Sequence, residues 1–190
     1  MFLVSWFWDT LYSLGLARKK ARLVLLGLDN SGKTTLLHML RDNRMVQHIP
    51  THYPTTEELV MGNITFYAQD VGGHTAVRKV WQEYYQDVDA IIYLVDAADR
   101  ERINESKHEL EQLFVTCENI HIPVLVLGNK VDSDLALSEH QFRVSMGLTQ
   151  TTGKGVTQVM EGERPHEVFM CSIAERHGYR EGFVWLSKFI

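Results

Sequence analysis

The stretch RLVLLGLDNSGKTTLLHML, residues 22–40, decides the fold. It opens on a short apolar run too continuous to leave one face in water, and it closes on a segment with helical spacing. Between the two lies GLDNSGKT, Gly27 to Thr34, which satisfies G-x-x-x-x-G-K-[ST] in the strand-to-helix context that gives this pattern meaning. The glycines let backbone N–H groups converge on phosphate oxygens, with Asp29, Asn30, Ser31 and Gly32 forming the cradle. Lys33 is expected to reach the β and γ phosphates, the Thr34 hydroxyl to coordinate Mg²⁺, and Thr35 to donate to the α-phosphate. A glycine-rich turn that binds nothing would not need the strand before it and the helix after it.

Outward from this stretch, apolar runs alternate with amphipathic ones. Strands are expected over residues 22–28, 64–71, 90–99, 123–132 and 168–173, and helices over 32–43, 76–88, 102–117, 138–147 and 179–189. Buried strands alternating with helices indicate an α/β fold with a mainly parallel sheet. EELVMGNITFY, residues 57–67, reads as one antiparallel hairpin turning at Gly62-Asn63 and adding an edge strand. Gly147 to Pro165 is polar and without helical period, so it reads as a loop or small hairpin. The TTGKG within it lacks the first glycine, the hydroxyl residue and the strand of a phosphate loop, and reads as solvated loop.

The chain has 190 residues, 45% hydrophobic and 23% charged, which suits one soluble domain. A net charge of -5 gives no general attraction to nucleic acid, so nucleic acid is not an expected partner. Two cysteines, Cys117 and Cys171, lie far apart and outside any metal-ligand spacing, which fits a reducing compartment without disulfides or zinc.

Four further segments carry chemistry. Asp70 ends an apolar run, where a carboxylate can hold Mg²⁺ through water, and Gly72-Gly73 follow it with Gly73 offering an N–H to a γ-phosphate. NKVD, Asn129 to Asp132, follows a strand at the edge where a parallel sheet presents its ligand crevice. The Asp132 carboxylate matches the two donors of guanine, which adenine lacks; Lys130 can lie along the base and Asn129 can tie the loop together. Ser172 and Ile173, at the tip of the next strand, are placed for a backbone N–H to guanine O6. Between the phosphate loop and Asp70, HIPTHYPTTEEL is a proline- and threonine-rich loop, and Thr51, Thr55 and Thr56 are each chemically able to close over Mg²⁺.

The amino terminus, MFLVSWFWDTLYSLGL, is too short to span a bilayer and is interrupted by Asp9. At 100° per residue Leu3, Val4, Phe7, Trp8, Leu11 and Leu14 share one face, with Ser5, Asp9 and Ser13 opposite. The basic run ARKKAR follows. Such a helix either folds onto its own domain or a partner, or adsorbs to a membrane surface, and the pattern alone does not choose. Phe2 in place of glycine and the absence of a C-terminal prenylation cysteine mean that it would work without a lipid chain.

GLDNSGKTTLLHML, PTTEEL, DVGGH, VWQEYY, NKVD, TTGKG and EVFMCSI together resemble the Ras-like small GTPases, within them the Arf/Sar branch, and more narrowly the Sar GTPases that initiate the COPII vesicle coat. Val71 and His52-Tyr53 depart from the pattern without touching a phosphate or metal role. The resemblance implies a phosphate-loop small-GTPase fold: a mainly parallel six-stranded sheet with one antiparallel edge strand and helices on both faces. It implies a division into residues 1–20, a membrane-binding helix and basic linker, and 21–190, the GTPase domain. It implies GTP as substrate, GDP as product and Mg²⁺ as cofactor, with Thr34, Thr55 and Asp70 as metal ligands. It places His74 where other Ras-like enzymes carry the glutamine that orients the attacking water, making it the catalytic candidate, while Arg78 reads as a surface or partner contact. The implied partners are the COPII inner coat with its activating protein, an exchange factor of the endoplasmic reticulum (ER) membrane, and ER lipids. The implied location is the cytoplasm, cycling to the ER membrane and the Golgi. Two other functions fit a phosphate loop, a phosphotransferase and a non-hydrolysing adaptor. NKVD and the want of an arginine-rich lid oppose the first, and the presence of Thr34, Thr55, Asp70 and His74 opposes the second.

Overall fold

The computed structural model describes residues 21–42, 56–61, 64–69, 88–117 and 121–190. In chain order the elements are β1 (Ala21–Leu26), α1 (Lys33–Asp42), β2 (Thr56–Met61), β3 (Ile64–Gln69), β4 (Ala90–Asp96), α2 (Ile103–Thr116), β5 (Val124–Asn129), α3 (Glu139–Met146), β6 (His166–Met170) and α4 (Tyr179–Leu186). They form one sheet of order β2-β3-β1-β4-β5-β6. β1 pairs in parallel with β3 and β4, and β4 with β5 and β5 with β6 do the same. β2 runs antiparallel to β3, from Thr56 opposite Gln69 to Met61 opposite Ile64, as the hairpin pattern requires. The turn residues Gly62 and Asn63 and most of the helix expected over 76–88 lie outside the described residues.

Side chains alternate across a strand, and here both sets are apolar because both faces are covered. Leu23, Leu25, Ile92, Leu94, Leu125 and Leu127 point to one face, where Leu36, Leu37 and Leu40 of α1 and Tyr179, Phe183 and Trp185 of α4 close over them. Val24, Leu26, Ile91, Tyr93, Val124 and Val126 point to the other, under Ile103, Leu110 and Leu113 of α2 and Phe142 and Met146 of α3. Each large apolar side chain so buried contributes roughly 1.5–3 kcal/mol. α3 starts at a capping box, the Ser138 hydroxyl accepting from Gln141 N–H while the Gln141 side chain accepts from Ser138 N–H. α4 is shorter than its pattern suggests, because residues 187–189 continue as turns bonded to Phe183, Trp185 and Leu186.

The chain leaves β1 toward β3 on one side and returns to β4 on the other, so the crevice of this sheet opens at the carboxyl ends of β1 and β4. The phosphate loop follows β1, and NKVD begins on the last residue of β5. At the opposite edge, the long connection before β6 is a loop with turns at Gly153–Val156 and Met160–Glu163, and no strand is found between α3 and β6.

That loop is not simply solvated. The Glu167 carboxylate, 1% exposed, accepts from Arg143 Nη2 at 2.5 Å, Thr151 Oγ1 at 3.0 Å, Gly153 N at 2.6 Å and Val168 N at 2.8 Å. Trp185 Nε1 donates to Gly153 O at 3.3 Å. Lys154 pairs with Glu139 and lies 5.0 Å from the Phe169 ring centroid. Thr151 to Lys154 are thus fastened to the domain by a buried ion. Burial opposes the charge on Glu167, but the bonds from Arg143, Val168 N–H and Thr151 outweigh it and hold the carboxyl below its usual range. A depressed folded value means that the stabilisation is complete above the unfolded carboxyl value, about pH 4.5, and is lost as pH falls through the folded value. Glu167→Gln is expected to lower unfolding stability at pH 7 by about 3 kcal/mol and to flatten the acid limb of the stability curve. Denaturant melts from pH 3 to 7, on the order of one per pH unit, check both effects.

Candidate nucleotide site

The phosphate loop owes its path to two glycines. Gly27 has φ +136° and a Cβ there would stand 2.0 Å from Leu94 O; Gly32 has φ +106° and a Cβ there would stand 2.4 Å from Asn129 Nδ2. Both the left-handed backbone and the close approach exclude other residues. Lys33, 2% exposed, turns its ammonium into the loop, donating to Gly27 O at 2.8 Å, Leu28 O at 2.7 Å and, at 3.4 Å, to Ser31 Oγ. A buried ammonium held this way puts positive charge beneath the loop. α1 begins at Lys33, and the N–H groups of its first turn, which include those of Lys33, Thr34 and Thr35, lack intrahelical partners by geometry. Loop, ammonium and helix start together make an anion cradle.

Asn129, 3% exposed, joins this cradle to the other motif. Its Nδ2 donates to Ser31 O at 2.9 Å, and its Oδ1 accepts from Ile173 N at 3.1 Å and from Cys171 Sγ at 3.8 Å. One amide therefore holds the phosphate loop, the β5 tip and the β6 tip in register. Asp132 Oδ1 accepts from Ser172 Oγ at 2.5 Å, and that hydroxyl in turn accepts from Glu175 N at 2.9 Å. The Ser172 hydroxyl, itself fixed by Glu175 N–H, thereby orients the Asp132 side chain. Burial, with the Asp132 charge second, pushes the Cys171 thiol up to about 12, so it stays protonated and inert at neutral pH.

The structure brings together Asp29, Asn30, Ser31, Gly32, Lys33, Thr34 and Thr35 with Asn129, Lys130, Asp132, Ser172 and Ile173, all at the carboxyl edge of the sheet. Thr55, Asp70, Gly73 and His74 lie outside the described residues, as do Leu3, Val4, Phe7, Trp8, Leu11 and Leu14. Among the described residues no trio of His, Cys, Asp or Glu side chains converges on a metal site. Of the Mg²⁺ ligands expected from the sequence, Thr34 is described, half-buried beside Lys33. A cavity of 730 Å³ lies elsewhere, at the amino edge between Phe114 and the 150–164 loop, and is lined by no residue of the phosphate loop or of NKVD.

Two pairs escaped the sequence reading. Lys130, with φ +66°, pairs through Nζ with Asp96 Oδ2 at 2.7 Å, and Asp29 pairs with Arg102 Nη2 at 2.7 Å. The bond from Arg102 holds the Asp29 carboxyl below its usual range against partial desolvation. Both partners come from DAADRER after β4, a charged run at the correct sheet edge, which was the signal available.

The profile of the ADP-ribosylation factor family matches residues 7–190. The chain belongs to the ADP-ribosylation factor family. It is 47% identical to the small COPII coat GTPase SAR1 of Nicotiana tabacum, with all of both chains covered, and 44% identical to the small COPII coat GTPase SAR1 of Giardia intestinalis, covering 98% of each. Identity to the ADP-ribosylation factor-like protein 1 of Drosophila melanogaster is 34%, over 91% of each chain. As a member of the ADP-ribosylation factor family the chain is a small GTPase that binds GTP and hydrolyses it to GDP.

Asn129→Ala removes the Ser31 and Ile173 contacts together and leaves a buried carbonyl and N–H unpaired, which costs about 1–3 kcal/mol for each group. GDP release followed with a fluorescent analogue is expected to accelerate by roughly 10²-fold, since about 2.7 kcal/mol corresponds to that factor.

Proposed function

We propose that this GTPase is the switch that recruits the COPII coat to the cytosolic face of the ER membrane, with residues 1–20 as its membrane-binding segment and residues 21–190 as the nucleotide-reading domain. The observation that carries the reading is the Asn129 amide, which couples a guanine-type NKVD loop to a phosphate loop, in a chain 44–47% identical from end to end to GTPases named for that coat.

In this reading the Asp132 carboxylate accepts the two donors of guanine, and Ser172 keeps it in place. An adenine would leave that carboxylate unmatched, so discrimination is strong. Lys33 and the N–H groups of Gly32 to Thr35 take the phosphates. Thr34, with Thr55 and Asp70, would hold Mg²⁺, which when bound neutralises charge on the phosphate oxygens. Gly73 offers an N–H to the γ-phosphate, and His74 orients the attacking water through a ring nitrogen. Unaided hydrolysis is slow, and an arginine supplied by the coat's activating protein adds about 10³ to 10⁵ in rate. An exchange factor of the ER membrane reloads GTP, and the protein cycles between cytoplasm and the ER and Golgi membranes.

No helix among the described residues is long and apolar enough to cross a membrane; in this reading residues 1–20 make the attachment. Large apolar side chains there contribute roughly 1.5–3 kcal/mol each when fully buried, and Arg18, Lys19 and Lys20 about 1 kcal/mol each beside anionic headgroups. The sum favours reversible adsorption, as a switch needs. Deleting residues 1 to 16 is expected to abolish GTP-dependent flotation with liposomes and recruitment of the inner coat while guanine-nucleotide binding persists. Equal flotation of the GDP and GTP-analogue forms would overturn the coupling.

His74→Gly is expected to bind GTP normally and to lose most of the hydrolysis stimulated by the activating protein. Single-turnover rates within about threefold of the parent, under about 1 kcal/mol in the barrier, would remove His74 from the mechanism.

A further inference from the structure

The connection from β4 to α2, residues 96–102, touches both halves of the nucleotide site. At its start Asp96 is bound at both oxygens, Oδ1 accepting from Ala98 N at 3.0 Å and Oδ2 pairing with Lys130 Nζ at 2.7 Å. Ala97 donates its N–H to Asn129 O at 2.9 Å and accepts at its own oxygen from Leu137 N at 2.9 Å. Arg100 Nε donates to Leu135 O at 3.0 Å, which fastens the connection to the far side of the NKVD loop. At its end Arg102 forks, with Nε on Glu105 Oε2 at 2.9 Å and Nη2 on Asp29 Oδ1 at 2.7 Å. Arg102 N–H is itself held by Asp99 Oδ1 at 3.2 Å, so the backbone that presents the guanidinium is fixed.

We propose that residues 96–102 are a positioning strut that sets the distance between the base loop and the phosphate loop, with Asp96 placing Lys130 and Arg102 placing Asp29. The inference rests on the guanine-nucleotide reading of the site. Neither residue touches the ligand in this account; each acts through the residue that does. The Arg102–Asp29 pair is 34% and 41% exposed, and pairs this open add little to global stability. Its effect is therefore on where Asp29 sits at the mouth of the phosphate loop rather than on whether the domain folds. Asp96 is the complementary end: a largely covered carboxylate that fixes a lysine whose left-handed backbone already commits its direction. Seven residues with a bond at nearly every position transmit a shift at one loop to the other, because the segment has no slack.

The test uses the full-length protein and its variants Arg102→Ala, Asp96→Asn and the double substitution. GDP release is followed by a fluorescent analogue, and GDP and GMP affinities are compared by competition. Arg102→Ala is expected to speed GDP release about tenfold while GMP affinity stays within about twofold of the parent, because GMP does not fill the β-phosphate part of the cradle. Asp96→Asn is expected to weaken GDP and GMP by the same factor, as a base-side loss does. The double substitution is expected to release GDP more slowly than the product of the two single effects, since GDP engages both loops and loses their fixed spacing at the first break. Arg102→Lys, which keeps the charge without the fork, falls between parent and alanine and serves if the alanine variant does not fold. GDP release within about twofold of the parent in all the variants, multiplicative effects in the double substitution, or an equal loss of GMP and GDP in Arg102→Ala, overturns the strut. If the parent itself fails to prefer GDP over ADP, the guanine-nucleotide reading fails, and that outcome is distinct.

Discussion

The hydrogen bond from Asn129 Nδ2 to Ser31 O is the constraint around which the rest of the nucleotide edge is arranged. A buried amide must satisfy both its ends, and leaving either unmet costs about 1–3 kcal/mol. Its carbonyl end therefore reaches across to the β6 tip, and its amino end to the phosphate loop. Gly32 is forced by the same amide, because a side chain there would occupy the space of Nδ2. Base reading and phosphate binding come from segments 98 positions apart in sequence, and this contact makes them one site.

The parallel order explains why so many loops can meet there. Every parallel strand ends at the carboxyl edge, so the loops after β1, β4, β5 and β6 arrive side by side without special folding. The amino edge carries the packing burden instead, with Glu167 and Arg143 binding the last long connection to the domain.

Local patterns were the legible part of the sequence. Continuous apolar runs marked β1, β4 and β5, the Gly-Asn pair marked the β2–β3 hairpin, and the two motifs placed Lys33, Asn129 and Asp132 at one edge. Each of these signals needs only neighbours within one or two turns of chain. What was not legible were side-chain pairs that join remote segments. Glu167 with Arg143 and Thr151, Asp96 with Lys130, and Arg102 with Asp29 have no period and no motif, so a solvated loop was expected where the fold holds Thr151 to Lys154 down. The sequence places Ser172 and Ile173 beside the base without showing that the Ile173 N–H goes to Asn129 Oδ1, a contact that only the folded chain reveals. Thr55, Asp70, His74 and the amino-terminal face were readable as motif or periodicity, and they lie outside the described residues.

The way Glu167 grips only the root of the loop before β6 has a practical corollary. Thr151 and Gly153 are clamped and Pro165 O accepts from Val124 N at 2.8 Å, but beyond these anchors Gly155 and Gly162 have nothing within 4 Å of where a side chain would extend. The outer turns are thus a natural grafting position. A reporter peptide spliced between them would hang from two fixed points beside the edge strand β6 and would leave both chain termini untouched.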